Sequence, residues 1–231
     1  MRLALVADLH GNWPATQAMD RELKRLRAED IWFVGDAVGK GPDSALTCDW
    51  VMENCSRCIG GNWDYGIGGK HYPADQYYWD QLGPERMKWL RELPDEMNFW
   101  FSGIHFRMFH GRPVHELMKV TTEREVLEAT FRYNGCYTGV IFADSHRPFV
   151  RTLTTGYILN TGSVGNSTGV PNAHALLLEG EPDGREKGPL LMTVLSVPYD
   201  TGEAVRRAEA DPELPHKEAW IREITTGVYS R

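Results

Sequence analysis

A series of polar turns, each closing an apolar run, carries the side chains that hold divalent metals: Asp8 and His10, Asp36, Asn62, His110, and finally Asp144 and His146. Carboxylate oxygen, imidazole nitrogen and amide oxygen together make the mixed donor set of a first-row transition-metal site. In Asp8-x-His10 the spacing predicts two ligands on one side of a strand end, because residues i and i+2 point alike. The same spacing recurs at Asp144-x-His146. Gly11, Gly35, Gly61 and Gly111 adjoin these residues, where tight turns and close backbone approach favour glycine. Taken singly, any one Asp or Asn reads equally well as a turn residue; in this order together, a metal centre is the better reading.

Such residues need rigid elements to aim them. Arg2 to Ala7 reads as a buried strand, Pro14 to Leu26 as a helix with Ala15, Ala18, Met19, Leu23 and Leu26 on one face, and Ile31 to Val34 as a second strand. Ser44 to Asn54 reads as a helix and Arg57 to Ile59 as a third strand. Trp63 to Gln81, rich in glycine and aromatics, is expected as a long excursion over the site, followed by a helix from Pro84 to Leu93. Strands are expected over 97–101, 104–109, 137–142, 149–153, 157–159, 174–178 and 190–197, with helices over 122–131 and 200–210. The tail from Pro212 to Arg231 is left open. The repeated strand, polar turn and helix predict an α/β sheet with its ligands beyond the carboxyl ends of the strands. Without repeat, low-complexity tract or linker, residues 1–231 are expected to form a single domain.

Composition narrows the function. The 231 residues, 42% hydrophobic and 25% charged, are long enough to bury a sizeable core. The excess of 32 acidic over 25 basic residues, −7 at neutral pH, argues against bulk nucleic-acid binding. Apolar runs are too short for a membrane span or a signal peptide. Four cysteines, Cys48, Cys55, Cys58 and Cys136, are too sparse for a disulfide framework, so a cytoplasmic location is expected.

The segments Asp8-Leu9-His10-Gly11-Asn12, Gly35-Asp36 with Gly41-Pro42, Gly61-Asn62-Trp63-Asp64, Phe109-His110-Gly111 and Asn160-Thr161-Gly162-Ser163-Val164-Gly165 resemble the calcineurin-like metallophosphoesterase family. Within it they look most like a small bacterial phosphodiesterase branch, some members of which cleave dinucleoside polyphosphates. The resemblance implies a four-layer α/β/β/α sandwich and two divalent metal ions. Asp8, His10 and His146 would hold one ion, Asp36 would bridge both, and Asn62, His110 and Asp144 would hold the second. Ions roughly 3.5–4 Å apart can share a hydroxide that attacks phosphorus in line. Asn62 would also touch the substrate phosphate.

Two positions depart from the family pattern. Ala143-Asp144-Ser145-His146 replaces the usual Gly-His-x-His, so a carboxylate stands for an imidazole. Asp144 is expected to ligate, although it could also fall short of the metal. A third carboxylate shifts preference from zinc toward harder ions, manganese first, with iron, zinc, nickel and magnesium as the other choices. Trp63 replaces a His that assists leaving-group protonation, which leaves Asp64, His71 or water for that task. A leaving group of low pKa suffers least from the loss.

Arg112 and Arg147 flank proposed His ligands and either grip a phosphate or pair with surface acids. Trp63, Tyr65, Tyr72, Tyr77, Tyr78 and Trp79 fit a base-stacking platform less well than a packed lid or homodimer contact. Cys55 and Cys58 read as inert thiols, and His105, His115, His174 and His216 as ordinary residues. The resulting expectation is hydrolysis of phosphodiester or phosphoanhydride bonds in a small phosphorylated, nucleotide-type substrate, with Asp36, Asn62 and Asp64 catalytic. The alternatives are a phosphomonoesterase or protein phosphatase, and a degenerate member that binds a nucleotide or partner without turnover.

Overall fold

Strand β1 (Arg2–Val6) is buried on both faces: Leu3 and Leu5 point one way, Ala4 and Val6 the other, and none is exposed. A strand of this kind must lie between two layers. The computed structural model describes residues 1–132 and 135–230, so Arg231 at the end of the tail lies outside the described residues. It contains two five-stranded sheets. The first runs in the order β10 (Leu191–Val197), β9 (Ala173–Glu179), β1, β2 (Asp30–Val34) and β3 (Arg57–Ile59). The second runs β4 (Glu96–Phe101), β5 (Ile104–Phe109), β6 (Gly139–Phe142), β8 (Tyr157–Asn160) and β7 (Phe149–Thr152). Each has a parallel heart, β1-β2-β3 in one and β5-β6-β8 in the other, with antiparallel strands at its margins.

Period-two alternation sorts the core. Leu3, Leu5, Trp32, Val34 and Ile59 from the first sheet meet Phe99, Phe106, Met108, Ile141 and Leu159 from the second. The outward Ala4, Val6 and Phe33 pack under α1 (Trp13–Arg25), α2 (Ser44–Asn54) and α4 (Gln76–Glu92). On the far side Phe109, Val140, Phe142 and Ile158 cluster with Leu127 of α5 (Arg124–Thr130). The expected four layers, α/β/β/α, are present. Helix α1 is set by its sequence as read: Asn12 caps it, its side chain accepting from the Ala15 N–H at 3.2 Å, and Pro14 occupies the first turn.

Two segments differ from expectation. The stretch 63–81 is mostly helical: α3 (Asn62–Gly68), a 3-10 turn at Pro73–Asp75 and the first half of α4. Gly68 serves packing rather than flexibility, since a Cβ there would lie 2.9 Å from the Leu90 Cβ. The expected helix from Pro84 is the second half of α4, which is broken at Gly83 (φ 69°, ψ 176°). The tail left open contains α7 (Lys217–Thr226). This helix buries Trp220 and Ile224 against Ala204 and Ala208 of α6 (Thr201–Glu209). Among the described residues no helix is long and apolar enough to cross a membrane.

Candidate metal centre

The carboxyl ends of the parallel strands of both sheets meet at one place. Asp8 and His10 follow β1, Asp36 follows β2, Asn62 follows β3, His110 follows β5, and Asp144 and His146 follow β6. Asp8 and His10 lie beyond the last residue of β1, so the turn, not the strand pleat, aims them. Asp8 (φ 53°), His10 (φ 46°), Asp36 (φ 62°), Asp144 (φ 59°) and His146 (φ 56°) are all left-handed. For a non-glycine residue that backbone costs about 1–2 kcal/mol, and its concentration here marks a functional constraint.

Three imidazoles are fixed in one tautomer. Nδ1 of His10 donates to the Val38 carbonyl (3.1 Å), that of His110 to Val34 (2.6 Å) and that of His146 to Asn166 (2.6 Å). Each Nε2 therefore faces the centre and, once its ring is neutral, offers its lone pair there, the arrangement of metal-ligating histidines. The Nε2 atoms of His10 and His146 stand 3.2 Å apart. His146 Nε2 is 3.2 Å from Asp8 Oδ1, His10 Nε2 is 3.6 Å from Asp36 Oδ2, and His110 Nε2 is 3.3 Å from Asp36 Oδ2. Asp8, His10 and His146 form one group with metal-ligand spacing, and Asp8, Asp36 and His110 form a second.

The electrostatics of the site call for cations. Both carboxylate oxygens of Asp8, Oδ1 of Asn62 and Nε2 of His110 are buried without a hydrogen-bond partner. Leaving an ionised carboxylate so exposed to low dielectric costs several kcal/mol, and two facing lone pairs on His10 and His146 repel. Divalent ions resolve both problems, so the residues present fit the group. Burial works against ionised Asp8, yet His146 and His110 hold its carboxyl well below the usual range. Burial and the nearby Lys40 push His10 down to about 3, keeping its ring neutral. His110 titrates well above the usual histidine value: burial opposes this, but Asp36 and Asp8 outweigh it.

Not every expected residue points at the centre. Asp64 is fully buried and accepts from the backbone N–H groups of Asp36 (2.6 Å), Ala37 (2.9 Å) and Gly61 (3.1 Å). It ties the Asp36 and Asn62 turns together. Burial and Asp36 push its carboxyl up to about 7. Asp144 is in neither ligand group; Arg112 occupies its carboxylate, through Nε to Oδ2 (2.9 Å) and Nη2 to Oδ1 (2.6 Å). Arg147 is exposed at the cavity rim, and His71 is exposed outside the cavity lining, against Tyr65.

Above the centre lies a cavity of about 1000 Å³ whose walls include Trp63, Tyr72, Arg112, Arg147 and Tyr229. Trp63 meets His10 edge-on at 5.7 Å and Tyr78 at 6.3 Å. Of the aromatic group, Tyr78 is in the core and Tyr77 and Trp79 pack against it, while Tyr65 and Tyr72 are exposed. The Cys55 and Cys58 thiols are both raised, chiefly by burial, Cys58 to about 12. His174 sits between the hydroxyls of Ser167 and Ser196.

Sequence reading missed Lys40. It is buried, donates to Asn166 Oδ1 at 3.0 Å and lies 3.4 Å from His146 Nε2. A signal existed: a lysine between Gly39 and Gly41, four residues beyond Asp36, in a turn already assigned to the site.

Comparison with known proteins agrees with this geometry. An uncharacterised protein of Methanocaldococcus jannaschii is 25% identical over 172 residues, 70% of this chain and 69% of that one. A symmetrical bis(5'-nucleosyl)-tetraphosphatase of Erwinia tasmaniensis is 31% identical over 107 residues, 41% of this chain and 39% of that protein. The crystal structure of a metallophosphoesterase from Sphaerobacter thermophilus superposes with a TM-score of 0.79 at 23% identity, covering 99% of both chains. Residues 1–182 match the calcineurin-like phosphoesterase superfamily domain. The chain therefore belongs to that superfamily and is a metal-dependent phosphoesterase.

Proposed function

We propose that this protein hydrolyses phosphodiester or phosphoanhydride bonds of a small, nucleotide-type substrate at a centre of two divalent ions, manganese foremost. The observation that carries the reading is the convergence of partnerless buried atoms around Asp36: Asp8 Oδ1 and Oδ2, Asn62 Oδ1 and His110 Nε2. Asp8, His10 and His146 would hold one ion, Asp36 would face both, and Asn62 and His110 would serve the second. Such a pair supplies an acidified water as nucleophile and neutralises charge on the phosphoryl oxygens.

The chain's own residues do the rest. The backbone carbonyls of Val38, Val34 and Asn166 lock the imidazoles, and the Trp63 N–H holds Asp36 Oδ1 at 2.9 Å, leaving Oδ2 for the centre. Asp64 positions both turns rather than moving a proton, because three N–H donors occupy it. Arg112, and Arg147 at the rim, face the phosphate. Trp63 puts no imidazole where a leaving group would depart, which favours good leaving groups over phosphomonoesters. The cavity volume and the partial likeness to a dinucleoside tetraphosphatase support a nucleotide. Four free thiols fit a reducing cytoplasm.

The test is hydrolysis of bis-p-nitrophenyl phosphate by metal-stripped protein with and without manganese, beside Asp36→Asn. Manganese-dependent turnover that the variant loses by at least a hundredfold is expected. Turnover equal in both proteins, or independent of any added metal, refutes the reading.

A further inference from the structure

Position 144 is where this chain departs most from the ligand pattern, and the geometry gives its carboxylate another partner. Asp144 accepts three N–H donors, all from Arg112: Nε at 2.9 Å, Nη2 at 2.6 Å and the backbone N–H at 3.1 Å. Three of the roughly four lone-pair positions of a carboxylate are thus filled. The contact is built into the backbone. A Cβ on Gly111 (φ 145°) would sit 2.7 Å from the Asp144 Cβ and 2.8 Å from Oδ2, so only glycine lets the carboxylate approach the 111–112 turn. The side chain of Asp144 is 2% exposed, whereas that of Arg112 is 48% exposed. Arginine carries five N–H donors; with two side-chain N–H groups on Asp144, the other three remain along a guanidinium that walls the cavity beside Asp36 and Asn62.

We propose that Asp144 is not a metal ligand but the anchor of Arg112, whose guanidinium supplies at the substrate phosphate part of the positive charge that a fully ligated second ion would bring. This rests on the two-ion reading above. It gives the centre unequal halves. Asp8, His10, His146 and Asp36 make a complete set for one ion. Asp36, Asn62 and His110 are left for the other, which is held at least tenfold more weakly. Asp144 acts through Arg112 and is a positioning residue; Arg112 itself touches substrate.

Calorimetric titration of metal-stripped protein with Mn²⁺, checked by elemental analysis, reads the metal side. Inorganic phosphate binding to the manganese-loaded protein reads the anion side. The decisive variant is Arg112→Ala with Asp144→Ala, which removes one charge of each sign and leaves the net charge of the site unchanged. The second-ion Kd should stay within threefold of wild type while phosphate binding weakens about tenfold. Asp144→Ala alone should also weaken phosphate about tenfold, because the guanidinium loses its anchor. Should the double variant fold poorly, Asp144→Asn keeps one oxygen for Arg112, and its second-ion Kd should stay within tenfold. A second ion lost by more than tenfold in the double variant, or more than a hundredfold in Asp144→Asn, makes Asp144 a ligand and overturns the proposal. Two ions of equal affinity in the wild type also overturn it. Absence of any ion binding to wild type refutes the metallohydrolase reading itself, and this inference with it.

Discussion

Gly61→Ala is a one-methyl perturbation aimed at the carboxylate that faces both ions. Gly61 has an ordinary backbone (φ −109°), so any cost of the alanine is steric. An added Cβ would lie 2.2 Å from Asp36 Oδ1 and 2.8 Å from the Asp36 backbone nitrogen. Ordinary contact begins at 3.4 Å, so about 1.2 Å must be found. The backbone nitrogen is held to Asp64 at 2.6 Å, so the shift falls on the carboxylate, at the expense of the 2.9 Å bond from the Trp63 N–H to Oδ1. Oδ2 then leaves its place between His10 and His110 by about 1 Å. Misplacement of that size costs on the order of a hundredfold in rate, or about 2.7 kcal/mol of transition-state stabilisation. Overpacking adds about 1–3 kcal/mol of lost stability. The assay is manganese-supported hydrolysis of bis-p-nitrophenyl phosphate together with thermal melts. Gly83→Ala is the control: nothing lies within 4 Å of its Cβ, and its φ of 69° with ψ of 176°, a region kept almost wholly by glycine, carries only backbone strain, on the order of 1–3 kcal/mol. It should lose stability and keep turnover. A kcat/KM for Gly61→Ala within threefold of wild type would falsify the role given to Asp36.

His110 sits above the usual histidine value in the metal-free protein because Asp36 and Asp8 outweigh its burial. Metal binding should therefore release its proton and tighten as pH rises, read by calorimetry in buffers of different ionisation enthalpy; no buffer dependence at neutral pH refutes this. Asp64, raised from 3.8 to about 7, binds its extra proton in the folded state between those values. Its contribution to metal-free stability is full below pH 3.8 and lost as pH rises through 7, so Asp64→Asn should flatten that decline in melting temperature. Parallel wild-type and variant profiles contradict it. Lys40→Met should raise KM for the diester about tenfold with a smaller change in kcat, because it removes a cation from beside His146; an unchanged KM refutes that placement.

Much of this was legible in the sequence for a simple reason. A buried parallel strand announces itself as an apolar run, and the polar turn that ends it, as at Val34-Gly35-Asp36, has few structural reasons to be there. Most of the strands and six of the converging residues follow from that contrast, whereas their division into two sheets was implied only by the family resemblance. What escaped depended on contacts between distant residues. Arg112 and Asp144 are 32 positions apart, and nothing in either motif says that one will occupy the other. Lys40 was missed because a lysine between two glycines usually faces water, whereas Asn166, 126 residues away, draws this one inward. The helices within 63–81 were hidden by glycines; the purpose of Gly68, close approach to α4, appears only once α4 is in place.

The centre also has a bearing on how the chain folds. Asp8, His10, Asp36 and Asn62 belong to the first sheet, His110 and His146 to the second, and His10 meets His146 across 136 residues of chain. Neither sheet alone carries a competent cage. An ion captured there works as a rivet through the sandwich and can be seated only after both sheets have docked, since loop-closure entropy must be met before such distant pairs form. Metal uptake during refolding should thus be a late event, a clock for the closing of the two sheets rather than a seed for either.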